Sequence, residues 1–408
     1  MGNHRDHKRI LIYSHDTFGL GHLRRCRAIA HALVDANSSL SVLILSGSPI
    51  IGSFDFRSRV DFVRIPGVIK LRNGEYVSLS LHIDIEETLA MRSSIIRHTA
   101  DIFDPDIFLV DKEPLGLRGE VRPTLDLLRA RGTPLILGLR DVMDEPDALE
   151  TEWERKNAIP ALSDYYSELW VYGLPQICEP LAGLDLPESV QRRMIYTGYL
   201  RRQVPTAVAT PNRPDLPEDD FLLVTAGGGG DGDELFDWVL AAYENDPGGL
   251  PPVLLVYGPF MVPDQQAAFT ARVARLPKVR AITFDARLET LMSRAAGVVA
   301  MGGYNTFCEI LSFDKPALIV PRTKPRLEQY IRAQRAAELG LVSMLTDADG
   351  GEPSRMAAAL LQLKQQAPPS AVVVPGLLDG MASVNRLARK WLNHGSGERM
   401  RLRACGNA

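Results

Sequence analysis

The sequence lacks the features that mark several classes of protein. Its four cysteines, Cys26, Cys178, Cys308 and Cys405, lie far apart, with neither a CxxC pair nor the spacing of metal ligands, which suits a reducing cytosol. No apolar run approaches the roughly 18 residues of a membrane span, and the N-terminus lacks the apolar core of a signal peptide. We therefore expect a cytoplasmic protein that is soluble or attached peripherally to the inner membrane face.

Basic residues are not in excess either. The chain has 46 Lys and Arg against 50 Asp and Glu, and its formal net charge is -4. Because nucleic-acid-binding proteins present a basic surface, we expect no nucleic-acid partner. The 408 residues, 45% of them hydrophobic, are enough for two domains with separate cores.

The chain does contain two series of short β-branched runs that alternate with segments of helical period, as in βαβ units on parallel sheets. Between them, four prolines in Arg201–Asp220 disfavour a regular element. We predict a first domain at 1–200, a linker at 201–220, a second domain at 221–377, a helix at 378–393 and a mobile tail at 394–408. The predicted strands are Arg9–Ser14, Leu40–Leu45, Phe108–Val110, Leu135–Leu139, Leu169–Val171, Phe221–Thr225, Val253–Val256, Ala281–Thr283, Gly297–Ala300 and Ala317–Val320.

A glycine-containing turn, SHDTFGLGHLRR, follows the first predicted strand. Gly19 and Gly21 allow close backbone approach at a helix N-terminus, where free N–H groups and the helix dipole favour an anion. A tight strand-to-helix turn alone would explain the glycines. It would not explain why His15, Asp16 and His22 share one loop, and we take these three as candidate catalytic residues.

Four consecutive glycines follow the first strand of the second series: Gly227, Gly228, Gly229 and Gly230. Their N–H groups can cradle a diphosphate. Asp231 and Asp233 would repel a phosphate unless they point away or cap the next helix, which is the commoner use of such residues. The GDGD segment is too short for an EF-hand and no third carboxylate is evident, so we expect no metal site.

A third turn, MGGYNTFCE, ends another strand with Gly302 and Gly303. Asn305 or Thr306 can cap the next helix, and Glu309 then lies about one turn inside it. A carboxylate there can accept hydrogen bonds from both ribose hydroxyls. A glutamate three residues after Thr306 also fits a capping box, and both interpretations suit the spacing equally well.

The segment GGYNTFCEILSFDKPALIVPRTKPRLEQYIRAQRAAELG resembles the donor-binding segment of glycosyltransferase family 28. GLGHLRRCRAIAHAL is similar to that family's N-terminal glycine loop, and TGYLRR to the segment before its linker. The resemblance implies an α/β protein of the GT-B fold, in which two Rossmann-like doubly wound domains face each other across a cleft that the C-terminal helix can cross. It makes 1–200 the acceptor-side domain and 221–377 the nucleotide-sugar-binding domain. Three segments, SHDTFGLGHLRR, VDKEPLGLRGE and GLRDVMDEP, suggest a branch distinct from the family's peptidoglycan enzyme.

The resemblance also implies roles for single residues of the donor site. Glu309 would hold the ribose, Gln329 would contact the donor sugar, and Arg202 would neutralise the phosphates. The backbone at Phe284 and Asp285 would read the uracil. The residues expected around the diphosphate are Gly227, Gly228, Gly229, Gly230, Gly303 and Thr306.

The chain departs from the family pattern at two places. Tyr199-Leu200 stands where the family has Asn-Pro, and Glu328 stands for the first of its paired glutamines. Contacts to the donor hexose can therefore differ, and the resemblance defines the nucleotide better than the sugar.

Sugar transfer without a metal needs helix N-termini, loop amides and arginine to stabilise the growing phosphate charge, and this chain offers all three. His22 is the first candidate for the acid–base role, because an imidazole with an ordinary pKa near 6.5 exchanges protons near neutrality. In some relatives the equivalent histidine acts electrostatically. Ligands of open α/β sheets bind at the strand ends, where the acceptor-side candidates lie: His15, Asp16, Glu113, Arg140 and Asp141.

We expect transfer of a hexosyl or N-acetylhexosaminyl group from a UDP-sugar to a lipid-linked or envelope polysaccharide acceptor, with no cofactor beyond the donor. Two alternatives stay open, a UDP-sugar 2-epimerase of the same fold and a non-catalytic sugar-nucleotide-binding protein. Reaction without an acceptor would favour the first, and binding without turnover the second. Arg24, Arg25 and Arg27 offer a small basic contact to a membrane, although three arginines on one helix more often form a solvated face.

Overall fold

The computed structural model describes residues 7–16, 20–71, 75–203, 216, 220–228, 230–246, 248–285, 287–346 and 351–405, with the side chains of residue 70 and of residues after 393 left out. The chain divides into two compact units, one formed by Met1–Leu200 with Asp379–Ala408 and the other by Arg201–Leu378. Each unit contains one parallel sheet with helices. The α/β class predicted from the sequence is therefore confirmed. Most of the predicted linker at 201–220 lies outside the described residues.

The first unit contains a seven-stranded parallel sheet and an antiparallel hairpin. Its strands are β1 Lys8–Ser14, β2 Leu40–Ser46, β3 Val60–Arg64, β4 Val68–Lys70, β5 Tyr76–Ser78, β6 Ile107–Asp111, β7 Leu135–Arg140, β8 Glu168–Tyr172 and β9 Met194–Tyr196. Its helices up to the second unit are α1 Gly21–Ala36, α2 Ile85–Phe103, α3 Arg122–Ala130, α4 Pro146–Arg155, α5 Ala158–Tyr165 and α6 Glu188–Gln191. The large sheet has the order β3-β2-β1-β6-β7-β8-β9, and β4 pairs with β5.

The strand order reverses between β1 and β6, which lie side by side in parallel. Both strands are apolar runs buried on both faces, as expected where helices cover a parallel sheet. Tyr13 lies opposite Val110 in the register, so the loop after β1 leaves the sheet beside Asp111, the last residue of β6. Ligands of open α/β sheets bind at such a reversal, outside the carboxyl ends of the strands.

The second unit repeats this architecture with six parallel strands. They are β10 Leu222–Thr225, β11 Val253–Val256, β12 Val279–Ile282, β13 Gly297–Ala300, β14 Ala317–Ile319 and β15 Ser343–Met344, in the order β12-β11-β10-β13-β14-β15. The helices are α7 Asp233–Asn245, α8 Pro263–Val273, α9 Leu288–Arg294, α10 Tyr304–Ser312, α11 Glu328–Glu338 and α12 Pro353–Leu363. Here the reversal lies between β10 and β13, so two of the predicted glycine-rich turns leave the sheet side by side.

All ten strands predicted from apolar runs are present, with small differences at their ends. The apolar runs did not indicate β3, β4, β5, β9 or β15. Three of these, β3, β9 and β15, are edge strands, and β4 and β5 form the separate hairpin. Short, half-exposed strands lack the continuous apolar run of a central parallel strand.

The last helix, α13, spans Gly380–Cys405 and belongs to the first unit. The Lys390 ammonium donates to Glu168 Oε1 of β8 at 2.8 Å. The helix continues past Asn393, where the sequence pattern predicts that it ends and a tail begins. Within the described residues, no helix combines the length and apolar character that a bilayer crossing requires. Three apolar residues of this helix are buried: Val384, Leu387 and Leu392.

Candidate active site

His22 and Asp111 form the centre of the site in the first unit. His22 is the second residue of α1, and its Nδ1 atom lies 2.5 Å from Asp111 Oδ2. A contact this short between a ring nitrogen and a carboxylate oxygen needs a proton between them, so Nδ1 donates and Nε2 is left as the proton acceptor. The side chain of Asp111 is 3% exposed and that of His22 16%. This is the geometry of a general base oriented by a buried carboxylate.

Arg25 holds the same carboxylate from the next turn of α1. Its Nε donates to Asp111 Oδ1 at 2.8 Å and its Nη2 to Oδ2 at 2.7 Å. Burial opposes ionisation of Asp111, but the Arg25 guanidinium and the His22 imidazole together lower its pKa to about 2. Burial lowers the pKa of His22, and Asp111 offsets part of that effect. At neutral pH the pair is therefore a carboxylate beside a neutral imidazole.

Asp16 supports the helix that carries His22. Its Oδ1 accepts the Leu23 N–H at 3.1 Å and its Oδ2 accepts the Ser46 hydroxyl at 2.6 Å. The residue at the N-cap position of α1, Leu20, makes no side-chain capping bond, so Asp16 satisfies a free donor of the first turn instead. Burial raises the pKa of Asp16. These two bonds give Asp16 a positioning role, and its catalytic role stays a prediction.

Two substitutions at Asp16 separate these roles. Asp16→Asn keeps an acceptor for the Leu23 N–H, and we expect transfer activity within about fivefold of wild type. Asp16→Ala removes that acceptor and should lower the free energy of unfolding by about 1–2 kcal/mol. Urea titration and a steady-state assay test both. Activity of Asp16→Asn reduced by about 10² or more would instead identify Asp16 as an acid–base group.

His15 belongs to a buried hydrogen-bond network behind His22. Tyr13 donates its hydroxyl proton to Glu120 Oε1 at 2.6 Å, so its oxygen accepts from His15 Nδ1 at 3.3 Å. Arg92 binds both oxygens of Glu120 at 2.6 Å. Burial holds the pKa of His15 well below its usual range, so this ring is neutral. The imidazole ring of His15 contacts that of His22 edge to face, and the two ring centroids are 5.6 Å apart.

The other acceptor-side candidates lie at the carboxyl ends of β6 and β7. Glu113 is buried between Lys112, at 3.2 Å, and Lys156, at 2.8 Å. Asp141 is fully buried and accepts the Tyr199 hydroxyl at 2.7 Å, which ties the end of β7 to the chain after β9. Arg140 is half-buried at the end of β7. Glu113 lines a cavity together with His15.

The structure brings the glycine turns of the second unit to the reversal of its sheet. Gly227 has φ +73° and Gly302 has φ +79°, and a Cβ on Gly302 would lie 2.7 Å from Ile319. Gly303 is the residue before α10, and a Cβ there would meet open space. Gly228 accepts the Phe260 N–H at 3.0 Å, while Gly230 lies in the exposed turn that follows. Two predicted glycines, Gly19 and Gly229, lie outside the described residues, and Gly21 is the first residue of α1.

The predicted capping in this unit is wrong. Helix α10 begins at Tyr304 with Gly303 at its N-cap position and no side-chain capping bond, so Asn305 and Thr306 lie in the first turn. The capping-box interpretation of Glu309 therefore fails, because Thr306 is not a cap. Asp233 does not cap α7 either, since Gly232 holds that position. Sequence spacing does not determine the first residue of a helix when a glycine precedes it.

Asn305, Thr306 and Glu309 are all buried on α10, and Glu309 is 1% exposed. Arg202 is packed against this helix. Its Nη2 donates to Asn305 Oδ1 at 2.6 Å and its backbone N–H to Ser312 Oγ at 2.8 Å. The arginine therefore brings a positive charge to the first turn of α10, the end of the helix whose dipole favours an anion.

Arg322 links the second glycine turn to α11. It forms an ion pair with Asp231 and lies 3.3 Å from Glu328 Oε1. Gln329 Oε1 accepts the Arg322 backbone N–H at 3.2 Å. The Asp231 carboxylate thus has a cationic partner, rather than a capping role. Phe284 and Asp285 follow the edge strand β12 and are half-buried.

The sequence did not identify Asp111 as a site residue, and it placed Arg25 in a surface contact with a membrane. An ionisable residue that ends a buried strand beside β1 was a usable signal for Asp111. Arg25 is 1% exposed and cannot join Arg24 and Arg27 in a basic membrane contact. Arg27 instead donates to the Asp55 carbonyl at 2.8 Å. Nothing in the helical spacing distinguishes a buried arginine from a solvated one.

The chain is similar to known proteins in part of its sequence and in its fold. Residues 227–371 match the profile described as Glycosyltransferase family 28 C-terminal domain. MurG of Acinetobacter baumannii is 12% identical with a TM-score of 0.53, covering 97% of this chain and 99% of MurG. Medicago truncatula UGT71G1 complexed with UDP-glucose is 12% identical with a TM-score of 0.60, covering 96% and 100%.

Glycosyltransferase VinC in complex with dTDP is 18% identical with a TM-score of 0.56, covering 97% of this chain and 99% of VinC. No curated protein sequence matches the chain. At these identities the structural likeness shows a shared fold, that of the GT-B glycosyltransferases.

Proposed function

We propose that this chain is a glycosyltransferase similar to family 28, and that it transfers a hexosyl or N-acetylhexosaminyl group from a UDP-sugar to a lipid-linked or polysaccharide acceptor, without a metal ion. The observation that carries the proposal is the contact of 2.5 Å between His22 and Asp111. A protein that only binds sugar nucleotides has no need of an oriented, neutral imidazole.

His22 has the task of deprotonating the acceptor. Its Nε2 takes the proton of the acceptor hydroxyl as that oxygen bonds to the anomeric carbon of the donor. The bond from the anomeric carbon to the β-phosphate oxygen breaks, and UDP leaves with the electron pair. The Asp111 carboxylate stabilises the imidazolium that forms, and Arg25 keeps that carboxylate ionised.

The second unit has the task of binding the donor. Backbone N–H groups of Gly227, Gly228 and Gly303, together with the N-terminus of α10, would stabilise the charge that grows on the diphosphate. Arg202 adds a positive charge beside that helix. Glu309 would accept hydrogen bonds from the ribose hydroxyls, and Gln329 would contact the sugar. Phe284 and Asp285 would read the uracil through their backbone.

Calorimetric titration with UDP, GDP and dTDP in EDTA tests the donor site without the unknown acceptor. We expect UDP to bind most tightly, and Glu309→Ala to weaken it by about 10- to 100-fold, since a lost hydrogen bond to a charged group costs about 1.5–3 kcal/mol. Glu309→Gln keeps the size of the side chain and should weaken binding in the same direction.

Glu338→Ala is the matched control, because Glu338 lies on α11 in an exposed pair with Arg335. It should bind UDP like wild type. Equal UDP binding by Glu309→Ala and Glu338→Ala would refute the donor site, as would preferential binding of GDP or dTDP. Melting temperatures of all variants show whether each one is folded.

A further inference from the structure

A cavity of about 700 Å³ lies in the first unit between the loop after β6 and the helices α3 and α4. His15 lines its wall, and the rings of His15 and His22 are in edge-to-face contact. A group bound against His15 would therefore lie one side chain away from the proposed base. Nothing in the donor site of the second unit uses these residues.

Cationic side chains outnumber carboxylates in the lining of this cavity. Both carboxylates have lysine partners. The Lys156 ammonium donates to Glu113 at 2.8 Å and to Glu152 at 2.5 Å. Lys112 lies 3.2 Å from Glu113. The acidic groups are thus neutralised by lysines. The charged lining residues are Glu113, Glu152, Arg118, Arg122, Arg155 and Lys156.

Among the residues that the structure describes, one of the three cavity arginines has a carboxylate partner, and the other two do not. Arg118 donates to Glu86 Oε1 at 2.8 Å and lies over the ring of Tyr76. Within the described part of the chain, the guanidinium groups of Arg122 and Arg155 have no carboxylate partner. Arg122 begins α3 and Arg155 ends α4, so two separate elements bring uncompensated positive charge to one cavity.

We propose that this cavity binds an anionic group of the acceptor, a carboxylate or a phosphate ester, through Arg122 and Arg155. A guanidinium matches both groups with two parallel hydrogen bonds, which a neutral hydroxyl cannot accept. The inference rests on the proposed transferase function, because it defines the substrate whose hydroxyl faces His22. An acidic sugar or a sugar phosphate is therefore the class of acceptor.

Saturation-transfer NMR on the full chain tests the proposal with three probes: methyl glucoside, methyl glucuronide and methyl glucoside 6-phosphate. We expect at least one charged glycoside to bind about tenfold or more tightly than the neutral one. The preferred charged probe distinguishes a carboxylate from a phosphate ester. Arg122→Gln/Arg155→Gln should weaken the charged probe by about tenfold or more, and the exposed Arg192→Gln should not.

Equal binding of neutral and charged probes overturns the proposal. So does the absence of binding by both charged probes, or unchanged binding in the double variant. UDP titration of the same preparations separates this inference from the donor site. UDP binding without charged-glycoside binding overturns only the anion site, whereas charged-glycoside binding without UDP binding overturns only the proposed transferase function.

Discussion

His22→Ala lowers kcat by about 10²- to 10⁴-fold and leaves the affinity for UDP unchanged. The imidazole is the proposed base for the acceptor hydroxyl, and general-base catalysis typically contributes this factor. Asp111→Asn should lower kcat by at least about 10², because the amide cannot stabilise the imidazolium as the carboxylate does. A steady-state assay with a UDP-sugar and calorimetry with UDP measure the two effects separately.

His31→Ala is a matched control for these variants. His31 also lies on α1, but it contacts the Arg57 backbone rather than Asp111, and its substitution should leave kcat within about twofold. A decrease in UDP affinity that accounts for the whole effect of His22→Ala would contradict a role in the chemical step.

The pH dependence of the rate follows from the same pair. Burial lowers the pKa of His22, so the neutral base persists below the ordinary histidine pKa of about 6.5. We expect kcat/KM to be flat at neutral pH and to fall as acid protonates His22, with its midpoint below about 6.5. An acidic midpoint clearly above 6.5 would show that another group titrates.

Arg92→Leu destabilises the first unit by about 3–5 kcal/mol. Arg92 and Glu120 are fully buried and joined by two hydrogen bonds, so removing the guanidinium leaves a buried carboxylate without its counter-charge. Urea unfolding followed by tryptophan fluorescence measures the change, because Trp153 and Trp170 are buried in this unit.

Arg192→Leu is the control for stability, because Arg192 and Glu188 form an exposed pair that contributes little. The double variant Arg92→Leu/Glu120→Leu should recover part of the lost free energy, since it removes both charges. A loss below about 1 kcal/mol in Arg92→Leu would show that water or a rearrangement compensates Glu120.

The fold was predictable because buried parallel strands are continuous apolar runs. Ile107–Asp111 and Val253–Val256 are such runs, and they alternate with helical segments in both units. The edge strand Met194–Tyr196 was not predictable, because a short, half-exposed strand has no distinctive pattern. The start of α10 was also missed, since Gly303 precedes the helix without a side-chain cap.

The sequence by itself determined two parallel-sheet units, the glycine turns at their sheet reversals and the position of His22 at the start of a helix. Only the tertiary structure decided what surrounds that histidine. Asp111 is 89 residues from His22 along the chain and becomes its partner because β6 lies beside β1. The same packing places the buried Arg25 in contact with Asp111 and brings Asp16 within hydrogen-bond distance of the Leu23 N–H. It also places Arg122 and Arg155 in the lining of one cavity. Spacing along the chain predicts local periodicity, whereas these contacts depend on strand order and burial, which join residues from separate elements.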